Sequence, residues 1–311
     1  MLTDGDLGRR VVIRRIIGLR DGRPQFTDLL GELVAVDEKQ LTVRNATGDH
    51  LVPRAEVAAA KPVPPRRATR REIAALERVA AKGWPAPDTA MLGDWLLRAA
   101  EGWTNRANSV LPLGDPGVPL PEALEHVHEW YAGRGMKPRF AVPLPGFDLL
   151  ERELAGRGWR RTHTVLVQTG PLPSATPGAD LPSVTVDERP GDDWLRIVAG
   201  RKGSLPPVAV RVLTGARTPG FASVHADGEL VAIGRGVVDD DWLGLSLIEV
   251  APQAQRRGLA RHVMAGLAGW AAGHGARRAY LQVEADNDAA LALYATLGFT
   301  THHRYVNLAT P

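Results

Sequence analysis

The sequence of 311 residues contains no cysteine, and it contains no long apolar run. Without cysteine there is no disulfide, no thiolate metal ligand and no cysteine nucleophile. No apolar run approaches the roughly 18 residues that a membrane-spanning helix needs, so we expect no membrane partner. The first six residues lack the basic and then apolar pattern of a signal peptide. Together these absences favour a cytoplasmic protein.

The overall composition is that of a globular protein, with 44% hydrophobic and 23% charged residues. It excludes a wholly disordered chain, and the length suggests about two domains. The net charge of +3 is unevenly distributed. Residues 1–71 hold 14 Lys or Arg against 9 Asp or Glu, whereas residues 183–311 hold 13 of each. The basic excess therefore belongs to the first quarter of the chain.

The first segment reads as a small β structure. Short β-branched runs are separated by turn residues, at residues 11–17, 28–36, 40–44 and 50–53. This spacing predicts a small antiparallel barrel of the SH3-like type over residues 1–60. A basic, proline-rich stretch, residues 61–71, follows, and its prolines favour an extended linker.

The remainder alternates between helical and strand patterns, which predicts a mixed β-sheet flanked by helices. Thr69 and Glu72 form a capping-box pattern at the start of its first helix. A second linker is predicted at residues 171–182. Strands are predicted near residues 94–98, 107–111, 139–142, 162–168, 183–187, 221–225, 230–238, 243–250, 279–284 and 302–307, and helices at 122–132, 148–155, 192–199, 207–214, 259–272 and 288–297.

The two parts on either side of the second linker look like a repeat. A shift of 140 positions aligns residues 106–168 with residues 246–308 without a gap, and ten positions are identical. The order strand, helix, strand, helix, strand is the same in both. We therefore predict two related domains in tandem, residues 72–170 and residues 183–311.

A strand-to-helix loop in the last segment is suited to an anion. The apolar strand ends at Val250, and the motif Gln255-Arg-Arg-Gly-Leu-Ala260 follows. The first N–H groups of a helix have no partner within it, and the helix dipole adds positive charge there. Gly258 would allow a close approach of the ligand. An ordinary turn with solvated arginines is the alternative interpretation of the same residues.

A second motif lies about 30 residues further on. It consists of Leu281-Gln-Val-Glu-Ala-Asp-Asn287 and then Tyr294-Ala-Thr-Leu-Gly-Phe299. The two motifs, in this order and spacing, resemble the signatures of the GNAT (GCN5-related) N-acetyltransferases. The tandem layout is also similar to that of mycothiol synthases. Over nearly its full length the chain resembles an actinobacterial tandem-GNAT family with an SH3-like N-terminal domain, through Trp95-Leu-Leu-Arg98, Arg106-Ala-Asn-Ser109 and Trp130-Tyr-Ala-Gly-Arg-Gly135.

This resemblance implies the GNAT fold and transfer of an acetyl group from acetyl-CoA to a primary amine, without a metal. It assigns the acetyl-CoA contacts to Ile248, Val250, Gln255, Arg256, Arg257, Gly258, Leu259, Ala260 and Asn287. Tyr294 matches the general acid of the family. Glu249 is the candidate general base, and Glu284, Asp286 and His225 are its competitors.

The second segment departs from these motifs. The phosphate loop aligns with Asp115-Pro-Gly-Val-Pro-Leu120, which has a carboxylate and two prolines that lack an N–H. Tyr294 aligns with Leu154, and Asn287 aligns with Phe147. We expect this copy to be catalytically inactive, to pack against the active copy and to help form the wall of the acceptor site.

The sequence is also compatible with two other functions. The chain could be an acyl-CoA-binding regulator without turnover, or an adaptor that binds nucleic acid through its basic leader. Phe26 is the one aromatic residue of the leader, which disfavours stacking on bases. The acceptor remains open between a protein lysine or N-terminus and a small-molecule amine, and the assembly between a monomer and a homodimer.

Overall fold

The computed structural model describes residues 2–45, 47–63, 67–174, 181–202 and 205–310. The chain divides into two compact units, Met1–Arg67 and Ala68–Pro311. The predicted linkers lie partly outside the described residues, at Pro64, Pro65 and Arg66 and at residues 175–180.

The first unit is one antiparallel sheet of five strands. In chain order they are β1 (Arg10–Arg20), β2 (Arg23–Val36), β3 (Gln40–Asn45), β4 (Gly48–Pro53) and β5 (Val57–Pro62). Their spatial order is β4-β3-β2-β1-β5. Alternate side chains such as Val11, Ile13 and Val43 are fully buried, which explains the period of two in the sequence.

The expectation of a closed barrel is wrong. The edge strands β4 and β5 do not pair with each other, so the sheet stays open within the described residues. Each edge strand has six residues and ends in a proline, which has no N–H to donate to a further strand. The predicted linker is also shorter than expected, because β5 extends through Pro62 and the next helix begins at Arg70.

The second unit contains the remaining helices and strands. In chain order they are α1 (Arg70–Gly83), β6 (Asp88–Leu92), β7 (Trp95–Ala99), β8 (Leu111–Pro112), α2 (Leu120–Ala132), β9 (Arg139–Leu144), α3 (Asp148–Gly156), β10 (Arg160–Pro171), β11 (Val184–Asp187), α4 (Asp192–Lys202), α5 (Pro207–Thr214), β12 (Pro219–Ala226), β13 (Glu229–Asp239), β14 (Trp242–Val250), α6 (Leu259–Gly273), β15 (Arg278–Glu284), α7 (Asp288–Thr296) and β16 (Thr300–Ala309). Among the described residues, no helix is long and apolar enough to cross a membrane.

Most of these elements lie where the sequence predicts them. The capping box of α1 is present, since Thr69 Oγ1 accepts the N–H of Glu72 and the Glu72 carboxylate accepts the N–H of Thr69. Two strands differ from the prediction. β6 was not predicted, and the strand expected at residues 107–111 is reduced to the two residues of β8.

The two halves of this unit share an eight-stranded sheet, and β6, β7 and β8 form a separate three-stranded sheet in the first half. The order of the eight-stranded sheet is β11-β12-β13-β14-β15-β10-β16-β9. β10 therefore lies between β15 and β16, and β16 lies between β10 and β9. The boundary predicted at residues 171–182 separates two parts of one sheet rather than two separate sheets.

The strands β10 and β16 of that sheet have a local twofold relation. β10 and β16 run antiparallel, and Val165 lies opposite Tyr305. These two residues are 140 positions apart, which is the shift found in the sequence. On either side, Thr164 pairs with Val306 and Leu166 pairs with Arg304, so equivalent positions exchange partners.

The insertion of β16 between β10 and β9 also adds residues of the second half to the hydrophobic core of the first half. β16 contributes Val306 and Leu308 to the core that contains Ile73, Trp95 and Phe140. The last strand of the chain therefore completes the core of the first half of the unit.

Leu308→Ala tests this packing. Leu308 is fully buried, so we expect the variant to lose about 2–5 kcal/mol of unfolding free energy in urea titrations. Leu149→Ala is the matched control, because Leu149 is 66% exposed on α3 and should change stability by less than about 0.5 kcal/mol. Equal effects of the two substitutions would contradict the exchanged packing.

Candidate active site

A gap between β14 and β15 forms the centre of the candidate site. The two strands pair in parallel from Trp242 to Leu245 of β14, and the pairing stops at Leu245 opposite Leu281. Beyond that point, β14 pairs with β13 and β15 pairs with β10. A cavity of about 940 Å³ opens at the gap, a volume typical of ligand sites.

An irregularity in β14 accompanies the divergence. The register with β13 shifts between Ile233 and Arg235. Leu247, on the opposite strand, has φ of +54°. Such a bulge bends a strand and interrupts its pairing. The strand edge at residues 246–250 therefore faces the cavity instead of β15.

The loop before α6 forms one end of the cavity. Arg256 and Gly258 both have positive φ, +61° and +85°. The first hydrogen bond of the helix runs from the His262 N–H to the Gly258 carbonyl. The N–H groups of residues 259–261 therefore precede the hydrogen bonds of the helix, as an anion site requires.

The predicted cofactor residues are brought together at this cavity, with one exception. The lining includes Ile248, Val250, Gln255, Arg256, Gly258, Leu259, Ala260 and Asn287. Arg257 is exposed and is not part of the lining. Arg261 also lines the cavity, and its guanidinium donates to Thr296 Oγ1 at 2.7 Å.

Tyr294 and Asn287 reach the cavity from α7 and its N-terminus. Tyr294 is half-buried, and its ring lies 6.1 Å from that of Phe299. Asn287 Oδ1 accepts the N–H of Ala290 at 3.1 Å. Asn287 therefore caps the helix from a position that also faces the cavity.

Among the residues considered as a general base, Glu249 and Glu284 line the cavity, whereas Asp286 and His225 are not part of its lining. Ile248 and Val250 pack against the core that contains α6. Leu247 packs against a different cluster, around Trp84 and Trp194. Since strand side chains alternate between faces, Glu249 lies on the same side as Leu247.

The first half of this unit, which we expected to help form the wall of the acceptor site, also lines the cavity, but the motifs did not indicate which of its residues do so. Its contributions are Trp84, Gly102, Thr104, Asn105, Arg106, His163 and Val165, and β16 adds Tyr305 and Asn307. The similarity in the stretch Arg106-Ala-Asn-Ser109 was the one signal in that region, and it gave these residues no role.

A loop at residues 100–106 brings several of these residues into place. Asn108 is buried, and its Oδ1 accepts the N–H groups of Ala100 and Gly102 at 2.7 and 2.9 Å. Its Nδ2 donates to the carbonyls of Trp103 and Thr104, both at 2.8 Å. All four bonds hold the backbone of the loop, which explains why residues 107–110 do not form the expected strand.

Aromatic side chains support the same loop. Trp84 and Trp103 stack with their ring centroids 5.5 Å apart. Trp84 Nε1 donates to Thr104 Oγ1 at 3.1 Å. The guanidinium of Arg106 lies 5.1 Å from the Trp84 ring.

Buried polar groups surround this end of the cavity. Burial raises the pKa of Tyr305, and the Arg106 guanidinium opposes that rise. Burial lowers the pKa of Arg235 to about 9, and Arg235 donates to the carbonyls of Gly83 and Leu213. Among the described residues, no group of three His, Asp or Glu side chains is placed to hold a metal ion.

The fold is similar to that of a solved "GCN5-related N-acetyltransferase" from Kribbella flavida. The TM-score is 0.57 at 17% identity, and the match covers 77% of this chain and 95% of the other. The chain is also 28% identical to the "Uncharacterized N-acetyltransferase YobR" of Bacillus subtilis, over 75% of this chain and 98% of that protein.

Two further matches are decisive. The family described as "Probable histone acetyltransferase Rv0428c C-terminal" matches residues 70–308. The "Probable histone acetyltransferase Rv0428c" of Mycobacterium tuberculosis is 34% identical, over 97% of this chain and 95% of that protein. The chain belongs to the GNAT family of N-acetyltransferases. The family match begins at the first residue of α1, and it includes the whole candidate site of this GNAT enzyme.

Asn108→Ala tests how far the loop of this GNAT enzyme depends on one side chain. The variant leaves several buried backbone groups without partners, each at a cost of about 1–3 kcal/mol before relaxation, so we expect a marked loss of thermal and urea stability. Asn105→Ala, in the same loop, removes a contact of Asn105 with Arg139 and should cost less than about 1 kcal/mol. Similar stabilities of the two variants would show that Asn108 does not hold the loop.

Proposed function

We propose that this enzyme transfers the acetyl group of acetyl-CoA directly to a primary amine, with both substrates bound together in the cavity between β14 and β15. The observation that supports this most strongly is that one cavity joins an open strand edge to the first turn of α6. A long ligand with an anionic end and an amide-containing arm needs both features.

The residues of the loop fit the pyrophosphate of acetyl-CoA. The backbone N–H groups of Gly258, Leu259 and Ala260 would bind the phosphate oxygens, with Gln255 and Arg256 beside them. Arg257 is exposed and would act through its charge at longer range. The strand edge at Ile248 and Val250 would pair with the amide groups of the pantetheine arm, and Asn287 would add a side-chain hydrogen bond.

Tyr294 is the proposed general acid. Bound acetyl-CoA supplies an activated thioester carbon, which the amine nitrogen attacks while the carbon–sulfur bond breaks. Tyr294 would donate its proton to the departing thiolate, and the Val250 N–H would stabilise the charge on the carbonyl oxygen. A thiol has a pKa of about 8.5 and a tyrosine about 10, so the two are close enough for this transfer.

Glu249 is the proposed base. It is half-buried and lines the cavity, so it could accept the proton of the ammonium group through water. Glu284 is exposed at the edge of the same cavity and is the competing base. The acceptor is a primary amine, either of a protein, as the name of the Mycobacterium tuberculosis relative suggests, or of a small molecule.

We also propose that residues 72–170 are a degenerate GNAT copy that does not bind acetyl-CoA. Pro119 stands at the N-terminus of α2, at the position that aligns with Leu259 in the loop before α6, and Asp115 accepts the N–H of Gly117. Leu154 and Phe147, which align with Tyr294 and Asn287, are buried in a hydrophobic core. The leader, residues 1–60, would serve as a scaffold, with a basic linker after it.

Gly258→Ala tests the phosphate loop. Gly258 has φ of +85°, so an added Cβ costs about 1 kcal/mol through backbone strain and stands where the phosphate must approach. We expect acetyl-CoA to bind at least about tenfold more weakly in calorimetric titrations.

Gly275→Ala is the matched control for that experiment. Gly275 has φ of +92° after the end of α6, and its added Cβ meets no heavy atom within 4 Å. It should cost similar stability and leave acetyl-CoA affinity unchanged. Equal affinities of the two variants would remove the phosphate loop from the proposal.

Tyr294→Phe tests the general acid. We expect kcat to fall by about 10²-fold or more, with KM for acetyl-CoA changed by less than about threefold, in an assay of thiol release with a panel of amines. Tyr131→Phe is the control, because the Tyr131 hydroxyl donates to the Arg98 carbonyl in the core, so it should lower stability and leave kcat unchanged. Unchanged turnover in Tyr294→Phe would refute the assignment, and tight CoA binding without turnover on any amine would indicate a regulator.

A further inference from the structure

Arg106 provides a positive charge in the part of the cavity lining that the first half of this unit contributes. It lines the cavity together with Trp84 and Tyr305, and its guanidinium lies over the Trp84 ring. The Arg106 guanidinium also opposes the rise that burial causes in the pKa of Tyr305, so the two groups lie near each other. The guanidinium is therefore held against an aromatic ring in the lining of the cavity.

The loop that presents Arg106 is held in a defined conformation by specific hydrogen bonds. Four hydrogen bonds of Asn108 hold this loop. In addition, Glu101 and Thr104 have positive φ, +50° and +64°, although neither is a glycine. Backbone conformations of this kind cost about 1–3 kcal/mol each and persist where the surroundings impose them, most often at functional sites.

Arg106 forms no ion pair with a carboxylate of the described residues. Other arginines of this unit do, such as Arg134 with Asp88 and Arg161 with Glu151. A half-buried guanidinium without a counter-ion loses hydration without compensation. A bound anion would offset that loss, and the planar guanidinium matches the geometry of a carboxylate with two parallel hydrogen bonds.

The cavity lining also contains oxygen atoms that could accept hydrogen bonds from an amine. Asn307 is 4% exposed, and its Oδ1 is buried without a hydrogen-bond partner among the described residues. It lies two residues beyond Tyr305 on β16, so both side chains point to the same face of the sheet. Ser246 Oγ, on the open edge of β14, is also buried and without a partner among the described residues. Both residues line the cavity.

We propose that the acceptor is a small amine that bears a carboxylate, such as an amino acid, and that Arg106 binds this carboxylate while Asn307 and Ser246 face the amine. The inference rests on the proposed acetyl transfer, and it makes Arg106 a residue that determines acceptor specificity. Arg106 could instead bind a carboxylate on the acyl group of the donor, as in succinyl-CoA. Reactions with succinyl-CoA test this second source of the carboxylate.

The experiment compares matched acceptors. Thiol release from acetyl-CoA is measured with the standard amino acids, β-alanine and 4-aminobutyrate, each against its own amide, which keeps the amine and removes the charge. For the preferred acceptor, we expect kcat/KM to favour the acid by about 10- to 100-fold. Arg106→Gln should abolish this preference and Arg106→Lys should retain part of it.

Arg134→Gln is the control variant, because Arg134 pairs with Asp88 and lies over Trp130, and is not part of the cavity lining. It should leave the preference unchanged. Calorimetric titration with acetyl-CoA verifies that each variant is folded and binds the donor. If Arg106→Gln keeps the preference, or if amides are the better acceptors, the inference is wrong. It is equally wrong if Arg106→Gln affects only reactions with succinyl-CoA.

A binding measurement separates this inference from the proposed function. The N-acetyl derivatives of the same acids and amides are titrated into the enzyme with CoA present. Preferential binding of the acids, lost in Arg106→Gln, would support the carboxylate site even if no amine released thiol, in which case only the proposed function fails. If no acid binds better than its amide, the inference fails whatever the turnover.

Discussion

The pairing of β10 with β16 is the contact on which the rest of the second unit depends. Each strand follows one half of the unit in sequence and inserts beside the other half in space. The pairing places Val165 opposite Tyr305, and both residues line the cavity. If the two strands returned to their own halves, Leu308 would leave its core, and the acceptor end of the cavity would lose one wall. Stability and site geometry are therefore linked through one pair of strands.

The gap between β14 and β15 depends on a smaller constraint. Two strands that pair for four residues and then separate must satisfy their backbone groups elsewhere. β15 does so with β10, which is available because of the strand exchange. The bulge at Leu247 lets β14 keep its pairing with β13 while its other edge opens. The open strand edge that lines the cavity is thus a consequence of sheet topology, and the loop before α6 forms one end of that cavity.

Local patterns in the sequence predicted much of this fold. Helix α5 has the bounds that its periodicity indicates, residues 207–214, and the capping box at Thr69 is present. The motifs around Gly258 and Tyr294 indicated the family, and most of the residues that they predict as acetyl-CoA contacts line one cavity. Both successes depend on short-range chemistry: the helical period, the capping side chains and the backbone freedom of glycine.

The failures all involve contacts between distant residues. A sheet closes into a barrel only if its two edge strands pair. The β-branched runs of the leader predict its strands, but they do not indicate whether β4 and β5 pair with each other. Asn108 looked like part of a strand because its four backbone partners precede it in a loop without a regular pattern. The place of Arg106 in the cavity requires β10 to cross to the other half, which no local periodicity reveals.

The division of the cavity between the two halves has one more consequence. The groups proposed to bind acetyl-CoA come from residues 248–294, and those proposed to face the acceptor come largely from residues 84–106 and from β16. Substitutions in the loop around Arg106 can therefore change which amine is accepted without disturbing the groove for the shared donor. If residues 72–170 are the degenerate copy proposed above, a copy without a phosphate loop remains a place where new substrate preferences can arise by mutation.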